Sequence, residues 1–203
     1  AVLAPDGSLH LGLAAMPLVE RLNPWALQAS QALRASAALV VADGNLPTDA
    51  WPLLLAEARA SGIPLVGVAV SEAKMERLPE RLDGLHLLVM NLGELATIAP
   101  EPHEAFERLH ARGVDGVLVS KGAEGLLLST PGHAPRHWPA PEVAVVDVTG
   151  AGDALSAGVC ASLLRAPGDF DAAARLGLAL AALTLQTTDS VHPELTPDFL
   201  RDR

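Results

Sequence analysis

The sequence predicts an α/β fold built on a mostly parallel sheet with helices on both faces. Three observations carry this. Short apolar runs alternate with helical segments along the chain. The runs are continuous, not every-other-residue, which is the pattern of strands buried on both faces. The polar and glycine-rich stretches fall where strands end, the edge at which open α/β sheets bind ligands.

The elements follow in order. Val2-Leu3 and the run from Leu9 flank Pro5-Asp6-Gly7-Ser8, an Asp-Gly turn that predicts a β-hairpin. Residues 24–36 read as one helix, capped by Asn23 with Pro24 in its first turn. Residues 38–42 are a buried strand ending at Asp43-Gly44-Asn45. Residues 47–60 are helical and residues 64–70 are the next strand. Residues 85–90 form a strand that runs into Asn91-Leu92-Gly93-Glu94. A helix over 101–112 ends at Gly113, and strands are expected over 116–119 and 126–128. Residues 130–141 are Pro-rich and read as loop. Residues 142–146 read as a strand, 154–164 as a small-residue helix and 171–186 as a last long helix. The hairpin, residues 1–16, is expected as a small appendage to one α/β domain over 17–203.

Composition narrows the function. The 203 residues suffice for one sizeable core. A formal charge of -10 and the lack of a basic stripe argue against nucleic acid or an anionic membrane as partner. The single Cys160 permits no internal disulfide and suits a reducing compartment. With no apolar run of membrane-spanning length and no visible signal peptide, the expected location is the cytoplasm. The chain opens mid-pattern without Met, and we expect it to be incomplete at its N-terminus.

The most informative stretch is Asp147-Val148-Thr149-Gly150-Ala151-Gly152-Asp153. A Gly-rich turn entering a helix aims free backbone N–H groups at one point and favours an anion there. The backbone of Gly150, Ala151 and Gly152 suits a phosphoryl group, with main chain in place of side chain facing it. Asp153 then stands where it can take the proton of an attacking hydroxyl. The plainer alternative makes Asp153 a helix N-cap. Asn91 and Glu94 place an amide and a carboxylate at a strand end, a pair that suits a hydrated Mg²⁺ with its phosphates. The same spacing equally describes a capping box. In Ser120-Lys121-Gly122-Ala123-Glu124-Gly125, a tight turn between strands, Ser120, Lys121, Gly122 and Gly125 are candidates to meet nucleotide phosphates, or form an ordinary turn. The spacing is not that of a Walker A loop. Asp43 and Asn45 are candidates to line a substrate pocket, or belong to a plain turn. His133 and His137 lie four apart in a Pro-rich loop, without a convincing metal spacing.

Together these motifs resemble the PfkB, or ribokinase-like, carbohydrate kinase family. Residues 147–153 followed by Ala154-Leu155-Ser156-Ala157-Gly158 look like its C-terminal signature, Asn91 to Glu94 like its N-x-x-E motif, and Ser120 to Gly125 like its S/T-x-G-x-x-G turn. Within the family, residues 41–45, 74–95 and 188–195 are similar to the pseudouridine kinases. The resemblance implies a ribokinase-like sheet with part of a small β lid at the N-terminus. It also implies ATP-dependent phosphorylation of a sugar or nucleoside hydroxyl, pseudouridine before ribose or fructose. Asp153 is then the base, Gly150 to Gly152 the anion hole, and Asn91 and Glu94 the organisers of Mg²⁺, Glu94 acting through water. Asp147 and Thr149 lie by a loop for a monovalent cation, typically K⁺, and a homodimer through the lid is expected. The family's N-terminal Gly-Gly segment has no counterpart here, Gly67-Val68-Ala69 stands for an Asp-Pro pair, and Met90 stands for a Pro. An inactive nucleotide-binding domain is the competing reading.

Overall fold

The computed structural model describes residues 2–3, 9–11, 16–189, 191–196 and 199. At the N-terminus β1 (Val2–Leu3) and β2 (Leu9–Leu11) pair antiparallel, as the hairpin expectation requires. The Asp6-Gly7 turn itself lies outside the described residues. A six-stranded sheet follows, its strands in spatial order of sequence. β3 (Val40–Asp43), β4 (Leu65–Val68), β5 (Leu85–Asn91) and β6 (Gly116–Ser120) are parallel. β7 (Leu126–Ser129) and β8 (Arg136–Trp138) continue it antiparallel.

The continuous apolar runs divide between two cores. On β5, Leu88 and Met90 join one cluster while Leu87 and Val89 join the other. On β6, Val117 and Val119 face one way and Leu118 the other. Successive strand side chains point to opposite faces, so a strand covered on both sides has no polar position to spare. Each fully buried Leu or Val is worth about 1.5–3 kcal/mol of transfer free energy.

The helices supply the covers. α1 (Pro24–Gln28) and α2 (Gln31–Ala35) precede β3. α3 (Trp51–Ser61), α4 (Leu92–Ala96) and α5 (Pro102–Ala111) pack on one face through Trp51, Leu55, Leu95, Phe106 and Leu109. α6 (Ala151–Leu163) and α7 (Phe170–Thr184) cover the other through Leu155, Val159, Leu163, Ala174 and Leu178. Among the described residues no helix is long and apolar enough to cross a membrane.

Three sequence expectations are corrected. The helix over 24–36 is two helices. The Leu27 carbonyl accepts from Ser30 N–H, Ser30 Oγ and Arg34 Nη1, so it is not the acceptor of an unbroken helical ladder. Residues 136–138, expected as loop, form the edge strand β8. Residues 142–146, expected as strand, are not one: Val146 and Asp147 N–H both turn to the Leu185 carbonyl beyond α7. Pro139 and Pro141 bring no N–H to extend the pairing of β8.

α6 and α7 approach closely at two glycines. A Cβ on Gly158 would lie 2.7 Å from the Leu176 carbonyl oxygen and 2.8 Å from Gly177 Cα. A Cβ on Gly177 would lie 2.9 Å from Val159 Cγ2. Gly158→Ala therefore overpacks the pair and is expected to cost about 1–3 kcal/mol in urea unfolding. Gly168→Ala, where a Cβ meets nothing within 4 Å, is the control. Equal losses in the two variants would contradict the close approach.

Candidate active site

The Gly-rich turn is set by Asp147 and Gly150. Asp147 Oδ1 accepts from Thr149 N–H at 2.8 Å, which folds the chain back on itself. That bond, with help from the Thr149 side chain, holds the Asp147 carboxyl below its ordinary value. Gly150 then takes φ 82°, a left-handed conformation that disfavours other residues, and stands at the N-cap of α6. The plainer reading of Asp153 as N-cap is thereby excluded, because Asp153 is the third residue of the helix. Its carboxylate is exposed and has no hydrogen bond or ion pair among the described residues. The turn leaves the Gly152 and Asp153 N–H groups without an acceptor among the described residues, so the helix start is open to an anion.

A cavity of about 500 Å³ joins this turn to a second one. Ala151 and Gly152 line it from α6, and Ser120, Gly122, Ala123 and Gly125 line it from the β6–β7 turn. That turn is closed by Lys121 N–H to the Gly125 carbonyl at 2.7 Å. A Cβ on Gly125 would overlap the main chain of residues 138–140, so only glycine lets the segment after β8 pass. Lys121 Nζ lies 2.7 Å from Glu124 Oε2 and is tied within its own turn. Ser120 Oγ donates to the Met90 carbonyl at 3.4 Å. The remaining wall comes from residues 140–143, 145, 148 and 155 and from Leu178, Ala181, Ala182 and Leu185.

Sequence reasoning did not identify that wall. Its signal was present: residues 178, 181, 182 and 185 have the spacing of one helix face. What the sequence lacked was the partner, because residues 142–146 read as a strand of the sheet and not as a cavity wall.

Asn91 and Glu94 sit beside Ser120, since Asn91 and Ser120 are paired in register at the ends of β5 and β6. The two form a full capping box. Asn91 Oδ1 accepts from Glu94 N–H at 2.9 Å, and Glu94 Oε2 accepts from Asn91 N–H at 2.7 Å. Glu94 is only 3% exposed. Burial pushes its carboxyl above the ordinary value, the Asn91 N–H opposes this, and the charge of Glu72 adds to it. The donor set fits Mg²⁺ held through water: the cap uses one carboxylate oxygen and leaves Oε1 without a hydrogen bond among the described residues. A cage is not what that ion needs, and no group of three or more His, Cys, Asp or Glu gathers among the described residues.

The other candidates are placed as follows. Asp43 Oδ1 accepts from Asn45 N–H at 2.9 Å and Oδ2 from Asn45 Nδ2 at 3.3 Å, a tight turn at the end of β3. Neither residue lines the 500 Å³ cavity. His137 Nε2 contacts the Glu124 carbonyl at 2.6 Å, while His133 Nδ1 contacts that of Pro131 at 3.1 Å. Cys160 packs against the α6–α7 core, and burial raises its thiol.

Fold and site thus define an α/β protein on a mostly parallel sheet, with a turn of open N–H groups at its carboxyl edge. The chain belongs to the pfkB family of carbohydrate kinases, whose pattern it matches over residues 13–197. It is 30% identical to the uncharacterized sugar kinase YeiI of Escherichia coli, over 98% of this chain and 56% of that protein. It is 32% identical to a 1-phosphofructokinase of Xanthomonas campestris, over 78% of this chain and 51% of that protein. The chain thus spans about half the length of these relatives. A carbohydrate kinase from Agrobacterium tumefaciens superposes with a TM-score of 0.78 and 31% identity, covering 100% of this chain and 66% of that one. The ribokinase of Arabidopsis thaliana, solved with ribose and ATP, shares the fold at a TM-score of 0.67 and 21% identity, over 81% of this chain and 55% of that one.

The raised Glu94 carboxyl gives a pH prediction. A carboxyl raised by folding favours the folded state while protonated, and that contribution is lost as pH rises through its folded value. Glu94→Gln keeps an acceptor for the cap and cannot ionise. The stability of Glu94→Gln relative to wild type is therefore expected to rise from mildly acidic to neutral pH. Urea unfolding of both proteins across that range checks it, and a difference that falls with pH contradicts it.

Proposed function

We propose that the protein transfers the γ-phosphoryl group of ATP to a hydroxyl of a sugar or nucleoside. The observation that supports this most is the sharing of one cavity by the Gly150–Gly152 turn and the Ser120–Gly125 turn, with Asp153 one residue beyond. Phosphoryl transfer asks mainly for positioning and for stabilisation of charge. In this reading the backbone N–H groups of Gly150 and Gly152 hold the transferring group, and the Ala151 N–H, which donates to the Val148 carbonyl at 3.3 Å, joins them only on releasing it. Asp153 takes the proton of the acceptor hydroxyl as its oxygen attacks phosphorus. The bond from phosphorus to the β-bridging oxygen breaks, and ADP leaves. Ser120, Gly122 and Gly125 face the nucleotide, while Lys121, paired with Glu124, adds charge only on leaving that pair. Asn91 and Glu94 would hold Mg²⁺ through water, and the ion when bound would neutralise phosphate charge. Asp147 and Thr149 would lie beside a monovalent cation, typically K⁺.

For the acceptor we favour a ribosyl compound such as pseudouridine, approached from the side of Asp43 and Asn45 at the end of β3. The 1-phosphofructokinase among the relatives supports a second reading, a sugar phosphate acceptor. The reaction belongs in the cytoplasm, where ATP is supplied, and two copies pair through the β1–β2 hairpin.

Two experiments test these roles. Asp153→Asn is expected to lower turnover by about 10²–10⁴-fold while ATP affinity changes little. Wild-type turnover in that variant removes Asp153 as base. An ATP-consumption screen over pseudouridine, ribose, fructose, fructose phosphates and common nucleosides is expected to single out pseudouridine. Selective turnover of a fructose phosphate would favour the second reading.

A further inference from the structure

The lining of the 500 Å³ cavity combines two chemistries. One is the turn with open N–H groups, Gly152 among them. The other is an apolar wall that includes Ala140, Val143, Val145, Ala181 and Leu185. Of the described residues lining the cavity, only Ser120 and Glu142 carry polar side chains. Ser120 belongs to the strand end and donates to the Met90 carbonyl. Gln186, next to Leu185, turns its amide back onto the Ala182 carbonyl at 2.9 Å.

Nucleobases differ in the order of N–H and C=O groups along their edges, while their flat faces are alike. The side chains of a wall of Ala, Val and Leu contact faces and cannot sort edges. Glu142 is exposed, and its carboxylate accepts from any N–H. Adenine, guanine, cytosine and uracil each offer at least one, so Glu142 does not separate them. Small side chains at 140, 181 and 182 do not narrow the space to one ring size.

We infer that the cavity takes purine and pyrimidine nucleoside triphosphates alike, holding the phosphates by the turn and the base by apolar contact. This rests on the phosphoryl-transfer reading above and concerns the donor, not the acceptor. Apolar contact discriminates between ligands far less than a site built to pair with polar groups does.

The test is displacement of trinitrophenyl-ATP from the purified protein by ATP, GTP, CTP and UTP in the presence of Mg²⁺. The four dissociation constants are expected to lie within about tenfold of one another. A larger preference for one base overturns the inference and assigns base reading to the main chain of residues 139–145. Glu142→Ala is expected to shift all four constants by the same factor, and a base-selective shift also overturns it. Failure of every nucleotide to displace the probe overturns the phosphoryl-transfer reading together with this one. Tight binding of ATP alone overturns only the present inference.

Discussion

α6 and α7 lie as close as they do because neither Gly158 nor Gly177 carries a side chain. Much of the rest hangs on that contact. α7 runs along α6, so its Leu178 and Ala181 come within reach of the start of α6 and form one side of the cavity. Its C-terminal end presents the Leu185 carbonyl, which takes the N–H groups of Val146 and Asp147. The segment leading to the Gly-rich turn is therefore anchored to α7 and not to the sheet. A wider helix pair would carry the turn away from Ser120 and Gly122 and open the cavity.

The acidic balance of the chain is compatible with a turn open to an anion because such a turn needs no side-chain cation. Unsatisfied N–H groups at a helix start concentrate partial positive charge locally. Lys121, the one basic residue in the adjacent turn, is held by Glu124, so the main chain is the principal donor. Such donors are fixed in place before a phosphate arrives and cost little reorganisation. Glu94 shows the opposite economy. Its carboxylate is buried to cap α4, its own burial disfavours the charge, and a cation nearby would relieve that conflict.

The site was legible where it is local and obscure where it is not. The turn from Asp147 to Gly150 follows from an Asp that bonds two residues ahead and a glycine with positive φ, both local matters. The strand before it was misread because Val143, Val145 and Val146 have strand-forming side chains. Pairing is decided by a neighbour's free edge, and here Pro139 and Pro141 break the continuity. β8 was missed for the same reason in reverse. Three residues between Pro135 and Pro139 look like loop until β7 offers them an edge. For Asn91 and Glu94 the structure makes the capping box explicit, and a cap leaves a carboxylate oxygen for other work.

The sequence by itself determined the alternation of strands and helices, the two buried faces of the sheet, and the chemistry available at each strand end. These are properties of short segments: periodicity, turn residues and caps act over a few residues and need no distant partner. Only the tertiary structure decided that the turns at 120–125 and 150–152 share a cavity, that α7 walls it, and that residues 139–149 cross it without joining the sheet. Those facts depend on contacts between segments tens of residues apart, and such contacts are set by packing and edge pairing that no local pattern encodes.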